Sequence, residues 1–357
     1  MNALAERYKS DGIWTGASSR TSCVVPEIPL LISTDEEYAY NKLALAVWNA
    51  LENVIANGID SIANGARPFP DGSTMPPAVR IDTVRTVDGP KIVEIDPVSA
   101  ISIGETSSLI RIWQEQGYQV PTGLSQVIVS DILKSGRGFA IDLPRGKEDY
   151  NAELEYLRKL MLESGVEQRE GLDAIQLSAF NEVPARRKTI NRDGWLGRVN
   201  PLWGSLIGIA DKSNLRLLVS GDKTNLPIFL PKSYEKKDLD DLDPDTQLIA
   251  KPLMGTGSSG VRQVTAKAGL SLSGGYIYQD MLTPATDFFG ECVEISGAST
   301  ENTEWVSRVS VYAGRYGLLG AEVTARPRNP SGFTNAHGQQ DAVQTTIAVK
   351  NMESKDV

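Results

Sequence analysis

A predicted β-hairpin over residues 80–96 is the feature that most constrains the fold. Two segments rich in β-branched residues, VRIDTVRTV and KIVEIDP, flank a turn at Asp88-Gly89-Pro90. Side chains alternate in polarity along both segments, as they do in strands, and Asp-Gly is a preferred hairpin turn. The chain is therefore expected to contain an antiparallel sheet that includes this pair of strands.

The hairpin gathers charged side chains on one face. Arg80 and Asp82 lie two residues apart on the first strand, and Glu94 and Asp96 lie two apart on the second, so each pair shares a face. Carboxylates placed together repel one another unless a cation joins them, and Mg²⁺ takes carboxylate and phosphate oxygens. The pattern indicates either a magnesium–phosphate site or an ordinary hairpin with one hydrated face.

A second candidate site is Lys251, which ends an apolar strand in LIAKPLMGTGSSGV. The glycine-rich segment after it has little side-chain bulk, so its backbone N–H groups can approach phosphate oxygens. The alternative is a flexible hairpin tip after a buried strand. The residues that would cover the phosphates in this way, called the cover residues below, are Gly255, Gly257, Ser258, Ser259 and Gly260.

Two more segments are compatible with a nucleotide site. Lys223 follows a predicted helix and could reach a triphosphate, although a surface lysine is the simpler interpretation. Tyr278 and Gln279 lie in YIYQDML, a predicted strand whose free edge could hydrogen-bond adenine. The alternative for that strand is a place in the core.

Composition excludes several classes of protein. The net charge of −9 over 357 residues disfavours binding to nucleic-acid phosphates. One histidine and two distant cysteines argue against a histidine-based triad or zinc site, so any metal ligands are expected to be oxygens. No apolar segment reaches the roughly 20 residues of a membrane span, and the N-terminus lacks a signal-peptide core. We expect a cytoplasmic protein without a membrane partner.

The order and spacing of these motifs resemble the ATP-grasp superfamily, and within it the circularly permuted branch typified by glutathionylspermidine synthetases. The pattern of that branch is R-x-D, eleven residues, then E-x-N, and it precedes the phosphate-binding lysines; here Asp96 replaces the asparagine. The branch also has a C-terminal GxGxRE turn. Its loose counterpart here is GLLGAEVTARPRN, which makes Arg326, or else Arg328, a further candidate.

The resemblance implies a role for each motif. Asp82, Glu94 and Asp96 would bind Mg²⁺, and Arg80 with Arg326 would act at the transferred phosphate. The residues implied to hold ATP are Lys223, Lys251, the cover residues defined above, Tyr278 and Gln279.

The expected fold class is α/β (α+β): a circularly permuted ATP-grasp fold with an added βαβ parallel-sheet unit. Residues 1–30 are expected to form an irregular lead-in, and 31–117 with 276–350 the core that carries the metal site. Residues 118–205 would form the βαβ unit, since a strand, a helix and a strand follow in that order, and 206–275 a lid.

The implied function is an ATP-dependent carboxylate–amine ligase. It would form an amide or peptide bond through an acyl phosphate on an amino acid, peptide or polyamine. The expected partners are small molecules only, and the sequence leaves open whether the protein forms a homodimer. The alternatives are an ATP-dependent small-molecule kinase on the same scaffold and a non-catalytic nucleotide-binding module.

Overall fold

The protein has a mixed α/β fold, seen in a computed structural model that describes most of the chain. The described residues are 2–11, 23–57, 77–96, 103–136, 138–142, 151–169, 174–178, 226–253, 260–294, 299–300, 304–328 and 342–350. The helices are α1 (Asn2–Ser10), α2 (Thr34–Asn57), α3 (Ile103–Glu115), α4 (Leu124–Lys134), α5 (Asn151–Glu163) and α6 (Ala266–Leu270). None of these helices combines the length and the apolarity needed to cross a bilayer.

Sixteen strands are described. They are β1 (Cys23–Pro26), β2 (Leu30–Ile32), β3 (Val79–Thr86), β4 (Gly89–Asp96), β5 (Gly138–Asp142), β6 (Ala174–Ser178), β7 (Ser233–Tyr234), β8 (Gln247–Pro252), β9 (Arg262–Thr265), β10 (Tyr276–Asp280), β11 (Cys292–Glu294), β12 (Ser299–Thr300), β13 (Trp305–Gly314), β14 (Gly317–Pro327), β15 (Ala342–Thr345) and β16 (Ile347–Val349). The predicted hairpin is confirmed as β3 and β4.

The larger sheet has eight strands in the order β12-β11-β1-β15-β14-β13-β3-β4. Helix α2 packs against β13 and β14. Leu43 on α2 belongs to the same buried cluster as Val309, Val323 and Ile81, which lie on three adjacent strands. This apolar face fixes the register of the sheet, because a slip by one residue would turn every buried side chain to the opposite face.

A smaller sheet has the order β7-β10-β8-β9. Strand β10 pairs with β8 on one side and β7 on the other. Residues 276–280 therefore belong with the smaller sheet, not with the larger one as the sequence-based boundary at residue 276 assumed.

The parallel βαβ unit agrees with the sequence prediction. Strands β5 and β6 pair in parallel, from Gly138 opposite Ala174 to Asp142 opposite Ser178, and α5 lies between them in the chain. Helix α5 packs against α3, where Gly104 meets the backbone of Glu153 and leaves no room for a Cβ. The unit is thereby joined to the helix that follows the hairpin.

The segment 1–30, expected to be an irregular lead-in, contains a helix among its described residues. Helix α1 is regular, and Tyr8 is fully buried, with its hydroxyl donating to the carbonyl oxygen of Gln344 at 2.9 Å. The carboxylate of Asp11 pairs with Arg7 at 3.0 Å and with Arg111 of α3 at 3.1 Å. The Tyr8 hydrogen bond and these ion pairs hold a mostly polar helix against the protein, and its sequence has too few apolar residues to predict it.

The buried face of α2 makes the first prediction. Leu43 is fully buried, whereas Tyr38 on the same helix is 68% exposed. We expect Leu43→Ala to lower the free energy of unfolding by about 2–5 kcal/mol, because it leaves a cavity between α2 and the sheet. Tyr38→Ala is the matched control and should change it by less than about 1 kcal/mol. Urea titration followed by circular dichroism would measure both, and equal losses would contradict the packing described.

Candidate active site

The face of the larger sheet opposite α2 carries a row of polar side chains across four strands. Glu94 on β4 stands opposite Asp82 on β3, Asp82 opposite Ser310 on β13, and Ser310 opposite Glu322 on β14. Residues directly opposite in antiparallel strands project from the same face. The strand register thus places Asp82 and Glu94 on one face, as the sequence predicted. The same row of polar residues continues onto β13 and β14, which the hairpin sequence alone could not show.

Asp82 is the most heavily engaged residue of this row. It is 4% exposed, and its carboxylate lies 3.1 Å from Nε of Arg80 and 3.7 Å from Nη1 of Arg308, while the Ser310 hydroxyl donates to it at 2.8 Å. Burial raises the pKa of Asp82, but Arg80, Arg308 and the Ser310 hydrogen bond outweigh it and the pKa is lowered. Asp82 is therefore held as a carboxylate.

Lys251 connects the smaller sheet to this row. Its Nζ donates to the carbonyl oxygen of Val93 on β4 at 3.2 Å, and the residue is 9% exposed. Val93 immediately precedes Glu94, so the lysine and the acidic hairpin meet in one place. The contact puts Lys251 next to the hairpin, and the expected meeting around a magnesium-bound triphosphate stays a prediction.

Gln279 shares a sheet face with Lys251. It stands opposite Ile249, which is two residues before Lys251 on β8, and it is 5% exposed. Its side-chain amide donates to the hydroxyl of Ser233 on β7 at 3.2 Å. Gln279 therefore remains on the side of the smaller sheet that Lys251 occupies.

Tyr278 projects from the other side of that sheet, which argues against a role at the nucleotide. It is 1% exposed, packs with Leu248 and Val264, and donates to the carbonyl oxygen of Gly269 at 2.9 Å. The backbone of β10 is also paired on both sides at Tyr278 and Gln279. The free strand edge expected for adenine is not found at these two residues.

Arg326 lies on the polar face and Arg328 at the surface. Arg326 follows Glu322 by four residues on β14, so the two share a face, and it is 6% exposed. Arg328 has a side chain 46% exposed that pairs with Glu304 at 3.3 Å and donates to Thr286 at 2.6 Å. The position of Arg326 favours it over Arg328 as the C-terminal site arginine.

Sequence reasoning missed a group of buried carboxylates beside the row. Glu105 on α3, Glu153 on α5 and Glu322 on β14 are 4%, 1% and 4% exposed. Burial raises the pKa of Glu105 well above its ordinary range, and the nearby charges of Glu322 and Glu153 raise it further, with Arg308 acting in the opposite direction. The sequence could have indicated Glu322, because residues an even number of positions apart on a strand share a face, and Glu322 lies four positions before the candidate Arg326.

Some predicted residues lie outside the described part of the chain. Gly260 is described: its φ of +78° suits glycine, and a Cβ there would lie 2.8 Å from Cγ of Pro252. The backbone of Asp96 is described opposite Arg80, but its side chain is not. The remaining predicted residues outside it are Lys223, Gly255, Gly257, Ser258 and Ser259.

Two of the three carboxylates predicted to hold a metal ion, Asp82 and Glu94, have described side chains. Among the described side chains, no group of three histidine, cysteine, aspartate or glutamate residues is arranged to hold a metal ion. Asp82 and Glu94 nevertheless supply an all-oxygen pair on one face, and Mg²⁺ is commonly held by one or two carboxylates together with substrate phosphates. The donor chemistry of these two residues fits Mg²⁺.

The raised pKa of Glu105 makes the second prediction. Glu105 stays protonated in the folded protein above about pH 4, where an unfolded glutamate ionises, so its contribution to the free energy of unfolding falls as pH rises. We expect Glu105→Gln to be more stable than the wild type near neutral pH, and the difference to shrink on acidification. Glu115→Gln, at a half-exposed position of the same helix, is the control for the substitution itself. Thermal unfolding across pH would measure this, and a uniform loss of stability at every pH would contradict it.

Comparison with known proteins supports the fold. No protein-family model matches the sequence, and no curated protein matches it. A glutathione synthetase-like effector from Globodera pallida, solved in apo form, aligns with a TM-score of 0.52 at 11% identity over 98% of this chain and 97% of its own. A candidate gamma-glutamylcysteine synthetase from Methylobacillus flagellatus aligns with a TM-score of 0.37 at 9% identity, over 86% of this chain and 87% of its own, and carries no argument. At this identity the first likeness concerns the fold alone: the chain has a glutathione synthetase-like mixed α/β fold.

Proposed function

We propose that the protein is an ATP-dependent carboxylate–amine ligase of the circularly permuted ATP-grasp branch. The observation that carries the proposal is the contact of Lys251 with β4 beside Glu94, which brings a cation from the smaller sheet against the acidic row of the larger one. In the proposal the larger sheet is the core and the smaller sheet is the lid. The glutathione synthetase-like fold supports this assignment.

The described residues have two electrostatic roles, one for the cationic side chains and one for the carboxylates. Lys251 and the guanidinium groups of Arg80 and Arg326 offer positive charge to phosphate oxygens of ATP and to the phosphate transferred from it. Asp82 and Glu94, with Asp96 from the same strand, would hold Mg²⁺, which when bound would neutralise phosphate charge. Arg80 and Arg308 already hold Asp82 ionised, which is the form that a metal ion binds.

The proposed reaction needs no covalent attachment to the protein. A carboxylate oxygen of the first substrate attacks the γ-phosphorus of ATP, ADP leaves, and an acyl phosphate forms. The nitrogen of the second substrate then attacks the acyl carbon, inorganic phosphate leaves, and the nitrogen loses a proton as the amide forms. The low exposure of Asp82, Lys251 and Arg326 fits a site that shields the acyl phosphate from water.

Product analysis tests the proposal directly. The full-length protein would be incubated with ATP, Mg²⁺ and pooled amino acids, peptides and polyamines, while ADP is quantified and new masses are sought. A ligase releases ADP and phosphate and yields an amide only when a carboxylate and an amine are both present. A phosphorylated product formed without the amine would indicate the kinase alternative, and ATP binding without turnover the non-catalytic module.

The contact of Lys251 makes the third prediction. We expect Lys251→Ala to weaken ATP binding about ten- to a hundredfold, because a charge-assisted contact to phosphate is lost. Lys267→Ala is the matched control, since Lys267 lies on the exposed surface of α6 in the same unit. Isothermal titration with ATP would measure both, and equal ATP affinity in the two variants would contradict the assignment.

Glu94 makes the fourth prediction. Glu94→Gln keeps the size and hydrogen-bonding capacity of the side chain but removes its charge, so we expect turnover to fall on the order of a hundredfold or more while the fold is retained. Glu163→Gln, at an exposed position of α5, is the control. ADP release and circular dichroism on the same samples would measure the effect, and unchanged turnover in Glu94→Gln would exclude its metal role.

A further inference from the structure

Glu322 is a carboxylate of the polar row that has no role in the reaction described so far. It lies on β14 opposite Ser310 and is 4% exposed. Among the described residues, no lysine or arginine forms an ion pair with it, and Arg308 on the adjacent strand pairs with Asp82 at 3.7 Å instead. A buried carboxylate without a counter-ion is costly, so this position favours a ligand that brings positive charge or N–H donors.

One carboxylate oxygen of Glu322 is open to such a ligand. Its Oε1 accepts a hydrogen bond from the Thr324 hydroxyl at 3.4 Å, and its Oε2 accepts none from the described residues. Oε1 of Glu105 has neither a hydrogen-bond partner nor accessible surface, whereas Oε2 of Glu322 lacks the partner but retains accessible surface. A substrate N–H group can therefore reach Oε2.

Glu322 lies on the side of the polar face away from the proposed phosphate site. Neighbouring strands are about 4.8 Å apart, so Glu322 is about 10 Å from Asp82 and about 14 Å from Glu94 across the sheet. Ser310, which donates to Asp82, stands between Asp82 and Glu322 and separates Glu322 from the proposed magnesium ligands. In the proposed function Lys251 brings the phosphates of ATP to β4 and β3, which leaves the β14 side of the face to the attacking amine.

The other buried carboxyl groups nearby do not replace Glu322. Burial raises the pKa of Glu105, and the negative charges of Glu322 and Glu153 raise it further, so Glu105 keeps its proton and cannot accept another. Glu105 and Glu153 also lie on α3 and α5, whereas Glu322 projects from the sheet face itself. Glu322 is therefore the proton acceptor that this side of the face offers.

We infer that Glu322 binds the attacking amino group of the second substrate and takes its proton. The nitrogen lone pair forms the C–N bond to the acyl carbon, and the bond from that carbon to the phosphate oxygen breaks with its electron pair. Glu322 stabilises the positive charge that develops on the nitrogen and accepts one proton from it. The proton then passes to the departing phosphate, which leaves as HPO₄²⁻. The inference rests on the proposed function, because it needs the acyl phosphate.

The test compares two nucleophiles on the same acyl phosphate. Hydroxylamine is a strong nucleophile that is largely uncharged at neutral pH, so it forms a hydroxamate with little need of a base. The full-length protein would be incubated with ATP, Mg²⁺ and pooled amino acids, peptides and polyamines, with and without hydroxylamine, and both products would be quantified by mass spectrometry. Glu322→Gln should lower amide formation about a hundredfold and keep hydroxamate formation within about threefold. Glu163→Gln, the same change at an exposed position, should alter neither product.

A second variant covers the case in which Glu322→Gln does not fold. Glu322→Asp keeps the charge on a shorter side chain, so it should lower the ratio of amide to hydroxamate by less than Glu322→Gln but still several-fold. Circular dichroism on the same samples reports the fold. Equal losses of both products in a folded variant, or unchanged amide formation, would overturn the inference and leave the ligase proposal intact. If the unaltered protein forms neither amide nor hydroxamate, the proposed function fails, and the inference fails with it.

Discussion

The buried pairing of Asp82 with Arg80 and Arg308 is the interaction on which the rest of the site depends. Charges removed from water are tolerated only where partners and hydrogen bonds replace the lost solvation, and Asp82 has two guanidinium groups and the Ser310 hydroxyl. These partners come from β3 and β13, so the same contacts that solvate the carboxylate also connect the two strands. The sheet can therefore present a charged face inside the protein without losing its register.

The two faces of the larger sheet have different roles: the apolar face packs against α2, and the polar face carries the candidate site. Helix α2 covers the apolar face, which supplies the packing energy, and this leaves the other face free to carry polar residues at a cost in stability. On that face the guanidinium groups hold Asp82 ionised, whereas beside it, on α3, burial and the nearby charges of Glu322 and Glu153 raise the pKa of Glu105. The larger sheet and the helix beside it thus contain one carboxylate that stays ionised and one carboxyl group that holds its proton.

Much of this arrangement could be predicted from the sequence, and the failures have a common physical cause. The hairpin was predictable because its period of two and its Asp-Gly turn are local signals, and the same is true of α2, which ends close to the predicted residues. Tyr278 was predicted at the nucleotide beside Gln279, although adjacent residues of a strand project to opposite faces. Arg308 and Glu322 were missed because only the register of β3, β13 and β14 brings them to Asp82, and register is a long-range property.

The chain order of these elements has a consequence for folding. Strand β3 pairs with β13, more than two hundred residues later, and the strands of the smaller sheet lie between them in sequence. The contact of Lys251 with Val93 also joins residues 158 positions apart, so for both pairings the loop-closure entropy is lost before the contacts are gained. Local pairing forms the hairpin early in such a topology, whereas the partners from β13 that keep Asp82 ionised arrive late. The charged site is consequently a property of the fully assembled chain, and no fragment that lacks β13 can reproduce it.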